Sequence, residues 1–245
     1  MNGWASPLTN SNHASNFSPR PSKRLTDTER GHLRLLAEQR GRPARARRVP
    51  EERADPALLE LLDSSGAVPM LILGRRNDVL AWNRLGHELL ARHLDFDAPS
   101  DAGTRPNMTR LMFLDPEMRG LYDNWDAKSR AVVGNLRLTA ARYPDDALLA
   151  GLIGLLTMNS PEFATLWSDH RVQPCATAIY TLHHPVAGAV TVTQQTLRAV
   201  DAPDQCIVTH TAPADHPSQA ALQLLARRTE ETPDDLSRRS SPVNM

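Results

Sequence analysis

PMLILGRRNDVLAWN, residues 69–83, decides the fold. Its apolar run from Pro69 to Leu73 stops at Gly74. Four polar residues follow, Arg75, Arg76, Asn77 and Asp78, and a second apolar run from Val79 to Trp82 ends on Asn83. Two short extended runs around a polar turn containing Asn-Asp predict a β-hairpin, because both residues tolerate the backbone angles of a tight turn. Asn83 predicts a helix start. Its side chain suits an N-cap, and Leu85, Leu89 and Leu90 then share one helical face. Strand, turn, strand, helix is the opening of a mixed sheet with helices to one side.

Upstream, Asp55 caps a helix with Pro56 at its first position; Leu58, Leu59, Leu61 and Leu62 form its stripe, and Gly66 suits its stop. Downstream, residues 107–113 predict a short helix. Pro116 opens a longer one carrying Leu121, Tyr122, Trp125, Val132, Val133, Leu136 and Leu138 up to Pro144. Asp145 or Asp146 caps the next, through Leu156, and Ser160-Pro161 starts another with Phe163, Leu166 and Trp167. Beyond Val172 the period changes to two. Ala178, Tyr180 and Leu182 alternate with Thr177, Ile179 and Thr181, while Val190 and Val192 alternate with Thr191 and Thr193. Residues 183–188 are expected as the turn between those strands. Ile207 and Val208 lie in a third strand, 218–228 form a closing helix, and 229–245 a loose tail.

Five blocks carry a family resemblance: LGRRNDVLAWN, NMTRLMFLDPEMRGLYDNW (107–125), ARYPDD (141–146), SPEFATLW (160–167) and HHPVAG (183–188). In this order they resemble the ligand-binding domain of MmyB-like transcription regulators, actinobacterial proteins with an Xre-type helix-turn-helix ahead of a PAS-like domain. The resemblance implies an α+β fold, a PAS-like antiparallel sheet with a large helical insert, over residues 55–228. LTDTERGHLRLLAEQRGRP resembles the last helix of the family's DNA-binding domain, and Thr26 with Glu29 fits a capping box. The four helices expected before it are not in the sequence, and residues 1–24, rich in Ser, Asn and Pro, are expected to be disordered. The expectation is a regulator that has lost most of its helix-turn-helix. The family's basic and Asp-Tyr positions around the His-Pro turn are not filled by CATAIYTLHH and VTVTQQTL.

Charge supports the same division. Residues 1–50 hold 10 Arg and Lys against 3 Asp and Glu, a net of +7; the remainder holds 28 − 10 = 18 against 28 − 3 = 25, a net of −7. The run Arg40, Arg42, Arg45, Arg47 and Arg48 suits phosphate contact, but without a recognition helix it reads no sequence, so DNA binding is expected to be weak or absent. Cys175 and Cys206 stand in no metal-ligand spacing, which predicts no structural zinc and reduced thiols in a cytoplasmic protein. Residues 1–24 lack the apolar stretch of a secretory signal, so none is expected there, and no run reaches the roughly 20 apolar residues a membrane span needs.

No Gly-x-Ser-x-Gly, P-loop, Gly-x-Gly-x-x-Gly or His-Glu-x-x-His is present. His183 and His184 with Asp169 and His170 suggest a hydrolytic or metal site, but a His-His-Pro turn more commonly caps carbonyls or faces water. Catalysis is not expected, nor any cofactor. The resemblance implies a small-molecule effector, lipophilic or fatty-acid-like. Leu111, Phe113, Tyr122, Trp125, Leu136, Phe163 and Trp167 are candidates to line its cavity, ordinary core being the plainer reading for any one of them. Arg75 and Arg76 could hold an anionic head group from their turn, and Arg110, His170 or His184 could pair with a carboxylate. Self-pairing, or pairing with a full-length relative, is the alternative role.

Overall fold

The computed structural model describes residues 52–169 and 177–239. Helix α1 (Pro56–Ser64) precedes strands β1 (Met70–Leu73) and β2 (Val79–Trp82). The insert then runs through α2 (Arg84–Ala91), α3 (Met108–Leu114), α4 (Pro116–Leu121), α5 (Trp125–Arg142), α6 (Ala147–Asn159) and α7 (Pro161–Ser168). Strands β3 (Thr177–His184), β4 (Gly188–Arg198) and β5 (Cys206–Thr211) return to the sheet, and α8 (Ser218–Arg239) closes the chain. The five strands are antiparallel in the order β2-β1-β5-β4-β3, so the last strand of the chain pairs with the first. This is the expected α+β, PAS-like arrangement, with the helical insert between the two hairpins.

Local chemistry explains the boundaries. Asp55 accepts from Ala57 N at the start of α1, with Pro56 at the first helical position, and Gly66 leaves that helix at φ +47. In the β1–β2 turn, Gly74 N donates to Asp78 O at 2.9 Å and Asn77 N to Gly74 O at 2.9 Å, with Asn77 itself left-handed at φ +65. Asp146 caps α6 through Leu148 N and Leu149 N, and Ser160 caps α7 through Phe163 N.

Asn83 ties three elements together. Its Oδ1 accepts from Gly86 N at 2.8 Å and from Met70 N at 3.0 Å. Its Nδ2 donates to Val68 O at 2.7 Å and to Ser65 Oγ at 2.9 Å. One side chain therefore caps α2, aligns β1 and holds the chain leaving α1. The approach is close enough that a Cβ at Gly86 would run into the Met70 carbonyl.

The sheet buries both faces of its β2-β1-β5 half. On one face Ile72, Leu80 and Ile207 meet Leu58 and Leu62 of α1. On the other, Leu71, Trp82 and Val208, continued by Val190 and Val192 of β4, join the main core with the insert and with Leu222 and Leu225 of α8.

Three expectations need correction. The helix from Pro116 towards Pro144 is two helices. Tyr122 is extended and bridges Leu182 of β3, and Asn124 re-caps the chain through Ala127 N. His183 and His184 belong to β3 rather than to the turn, which is Pro185–Ala187 ahead of Gly188 at φ +70. The closing helix continues to Arg239 rather than ending at 228. The proposed remnant helix at 26–37 and the basic run at 40–48 lie outside the described residues.

Replacing Asn83 by Ala strips one cap and leaves the Val68 carbonyl and Met70 amide without their partner. Urea denaturation should register a loss of about 2–4 kcal/mol. A loss within a few tenths of that of an exposed polar-to-Ala control would show that Asn83 does not hold the junction.

Candidate functional site

Three strands and three helices, α5, α3 and, through Leu90, α2, enclose a cavity of about 80 Å³. The sheet supplies Leu71 and Leu73 from β1, Gln194, Thr196 and Arg198 from β4, and Cys206, Val208 and His210 from β5. Register makes these one surface: Gln194 pairs with His210, Thr196 with Val208 and Arg198 with Cys206, so their side chains emerge side by side on the insert face. Helix α5 closes the cavity with Lys128, Val132, Asn135 and Thr139, spaced at one helical face, and α3 adds Met108 and Met112.

The inner end is polar. Lys128 is buried, and its Nζ donates to Gln194 Oε1. The same ammonium lies 5.1 Å from the centroid of the Tyr122 ring and 4.7 Å from that of Tyr180, and the two rings meet edge to face. Aromatic faces and a neutral amide thus stand in for water around a buried cation. His210 is 1% exposed, and neither ring nitrogen has a hydrogen-bond partner among the described residues. Burial, reinforced by the Lys128 charge, pushes its pKa down to about 3, so the ring is neutral near neutral pH. A neutral imidazole keeps one donor and one acceptor, and both are unused here. Burial, with Tyr180 beside it, also raises the Tyr122 phenol, and burial raises the Cys206 thiol.

The outer end is charged. Arg75 lines the cavity, with its Nε 4.0 Å from Asp146 Oδ2, its terminal nitrogen 3.9 Å from Asp204 Oδ2, and its guanidinium 5.1 Å from the Tyr143 ring centroid. Arg76 bonds Asp78 at 3.1 Å and Asp146 at 3.4 Å. Glu52 lies against the same turn, accepting from Arg75 N at 3.1 Å, and burial raises its pKa.

Of the residues singled out from the sequence, Arg75 and Tyr122 line this cavity, and Arg76 sits beside its outer end. Phe113, Trp125, Phe163 and Trp167 pack on one another within the insert: Phe113 meets Trp125 and Phe163 edge to face at 5.6 and 5.1 Å, and Phe163 stacks on Trp167 at 5.6 Å. Leu136 is fully buried in the same core. Arg110 and Leu111 line a groove on the surface of α3. His184 is buried, its Nε2 bonding Glu88 O at 3.0 Å while its Nδ1 accepts from Val186 and Ala187 N, so it fastens the β3–β4 turn to α2. His183 bonds Asp123 at the surface at 3.0 Å. His170 lies outside the described residues, as does Cys175.

Lys128, Gln194 and His210 escaped the sequence reading. Their signal was present in part: the inward positions of β4 and β5 run Val190, Val192, Gln194 and Val208, His210, so a polar residue follows apolar ones on a face bound for the core. Among the described residues no three His, Cys, Asp or Glu side chains converge as a metal site, and no single helix is long and apolar enough to cross a membrane. The model of one family, the MmyB-like transcription regulator ligand binding domain, matches residues 54–225, which is 172 of 245 positions. No curated protein matches the chain.

His210 gives stability a pH signature. Between its ordinary value of 6.5 and about 3, the unfolded chain binds a proton that the folded ring refuses, so stability falls as pH drops through that window. His184, also lowered by burial, contributes in the same direction. His210→Asn should flatten, in part, the loss of urea stability between about pH 7 and about pH 4.5; an unchanged slope would place the proton uptake elsewhere.

Proposed function

The chain belongs to the MmyB-like transcription regulator ligand binding domain family, and we propose that it senses a slender lipophilic effector held between α5 and the sheet. The observation that carries this reading is the polar inner end of the cavity: Lys128, Gln194 and the unpartnered ring of His210 lie beyond an apolar stretch of Leu71, Leu90, Met112, Val132 and Val208. Ligand sites commonly combine an apolar lining with a few polar groups that fix orientation. Lys128, Gln194, Tyr122 and the His210 N–H are mainly donors, so they suit an acceptor head such as a carboxylate. Each methylene of a tail placed against the leucines and methionines contributes roughly 0.8 kcal/mol.

The cavity, at about 80 Å³, is smaller than the roughly 300–1,000 Å³ of common ligand sites. A guest with a long tail therefore has to part α5 from the sheet. That coupling makes occupancy legible to the rest of a regulator, because the ligand favours one packing of the insert over another. In a relative with a complete helix-turn-helix, the altered insert would bias DNA binding. No catalytic step and no cofactor form part of this reading, and a cytoplasmic setting fits it.

A second reading, self-pairing or pairing with a full-length relative, draws on α6. Residues 147–160 contain no charged side chain, yet Leu148 is 62% and Met158 87% exposed. Such a face is unusual on a lone monomer.

Native mass spectrometry of the purified chain should reveal a co-purifying lipophile. Titration with dodecanoate should show binding that Lys128→Met weakens about tenfold or more, about 1.4 kcal/mol, with the fold retained by circular dichroism. Absence of both a co-purifying guest and dodecanoate binding would overturn the effector reading. Light scattering decides the second reading: a dimer converted to monomer by Leu148→Glu with Met158→Glu supports it, and a monomeric parent chain removes self-pairing.

A further inference from the structure

We propose that Arg75 is a bolt across the outer end of the cavity, and that the corner at 142–146 and the β4–β5 loop around Asp204 are the parts that swing when it opens. The inference rests on the cavity being the effector's site, and adds how that site is entered.

The two sides of the outer end are held in different ways. The β1–β2 turn is pinned to the start of α3 largely through its backbone. Met108 N donates to Asn77 O at 2.9 Å, Val79 N to Pro106 O at 2.8 Å, and Asn107 Nδ2 to Arg76 O at 2.8 Å, while Asn77 Nδ2 reaches Thr109 Oγ1 at 2.9 Å. Facing it, the α5–α6 corner meets the turn through side chains: Arg75 over the Tyr143 ring, and Arg75 and Arg76 towards Asp146. Tyr143 Oη donates to Asp204 Oδ1, and Arg142 lies 3.8 Å from the same carboxylate, so loop and corner form a second bundle that Arg75 clasps from the turn side.

The clasp is soft. Both carboxylates lie 3.9–4.0 Å from the Arg75 nitrogens, outside hydrogen-bond range, and the buried Nε has no hydrogen-bond partner among the described residues. Charge and ring contact hold Arg75, and these separate without breaking aligned hydrogen bonds; across the same gap Arg76 adds one long hydrogen bond, to Asp146 Oδ2 at 3.4 Å. Release also leaves the corner folded. Asp146 uses Oδ1 to cap α6 through Leu148 N and Leu149 N, and only Oδ2 faces the arginines. Arg75, Arg76 and Arg142 face Asp78, Asp146 and Asp204, with Glu52 against the turn as a fourth carboxylate, so the cluster stays closed without a ligand charge and yields to salt.

The test uses the full chain, with Arg75→Met matching reach without charge and Arg119→Met, which removes a distant surface pair with Glu162, as control. Amide hydrogen exchange at 142–146 and 201–205 should rise about fivefold in Arg75→Met and not in the control, while 74–79 and α3 stay unchanged. Stopped-flow fluorescence with the uncharged dye N-phenyl-1-naphthylamine should give faster association and faster dissociation in Arg75→Met than in the Arg119→Met control. Raising salt should speed the parent more than the variant, which keeps the Arg76–Asp146 and Arg142–Asp204 pairs. Unchanged exchange at both segments overturns the bolt whatever the dye does. A dye that fails to bind the parent chain counts against the effector cavity alone, since the exchange result still decides the bolt.

Discussion

A buried ammonium organises the centre of this domain. Lys128 points from α5 into the space above the sheet, where a cation is tolerated only with polar or aromatic company. Gln194 and the rings of Tyr122 and Tyr180 supply it. Those partners come from β4, from the link before α5 and from β3, so one charge sets the relative placement of three segments. It also prevents leucine-on-leucine closure between α5 and the β4–β5 strands. The cavity is the space that this polar centre keeps from being filled with apolar side chains.

The sheet order makes the arrangement possible. With β5 between β1 and β4, residues from both ends of the sequence face α5 together: Leu71 and Leu73 from the first hairpin, Gln194 and Thr196 from the second, His210 from the last strand. Asn83 secures the first hairpin to α2, and the β1–β2 turn is secured to α3. The insert is therefore anchored at its start, while the α5–α6 corner meets the turn through Arg75, Arg76 and Tyr143. A domain whose insert is fixed at its start and clasped by side chains at the α5–α6 corner has an obvious direction in which to open.

Local chemistry was readable from the chain itself. Asp55 with Pro56, Asn83, Ser160 with Pro161, and Asp146 each cap a helix through bonds to amides two or three residues on, so sequence neighbours suffice to find them. The hairpin at 70–82 was equally visible, since its turn demands residues that accept left-handed backbone. What failed to show depends on distant partners. Tyr122 leaves helical geometry where its backbone bridges Leu182, sixty positions away, so a helical pattern concealed a break. His184 looked like part of a turn because its anchor, Glu88 O, belongs to another element. Lys128 and His210 become a site only through the pairing of Gln194 with His210, and no spacing along the chain announces that register. The insert aromatics, conspicuous in the sequence, pack mostly against one another, because large rings fill a core most efficiently.

The central claim is that a guest lies between α5 and the β4–β5 strands with its polar end at Lys128 and His210. A crystal structure of the chain carrying a bound aliphatic carboxylate addresses it most directly. The account predicts density for the tail along Leu71, Val132 and Val208, an oxygen within hydrogen-bond reach of Lys128 Nζ, and a partner for the His210 ring. Density lodged instead in the surface groove at Arg110 and Leu111, or side chains closed solidly over the Lys128 centre in the loaded chain, would contradict it.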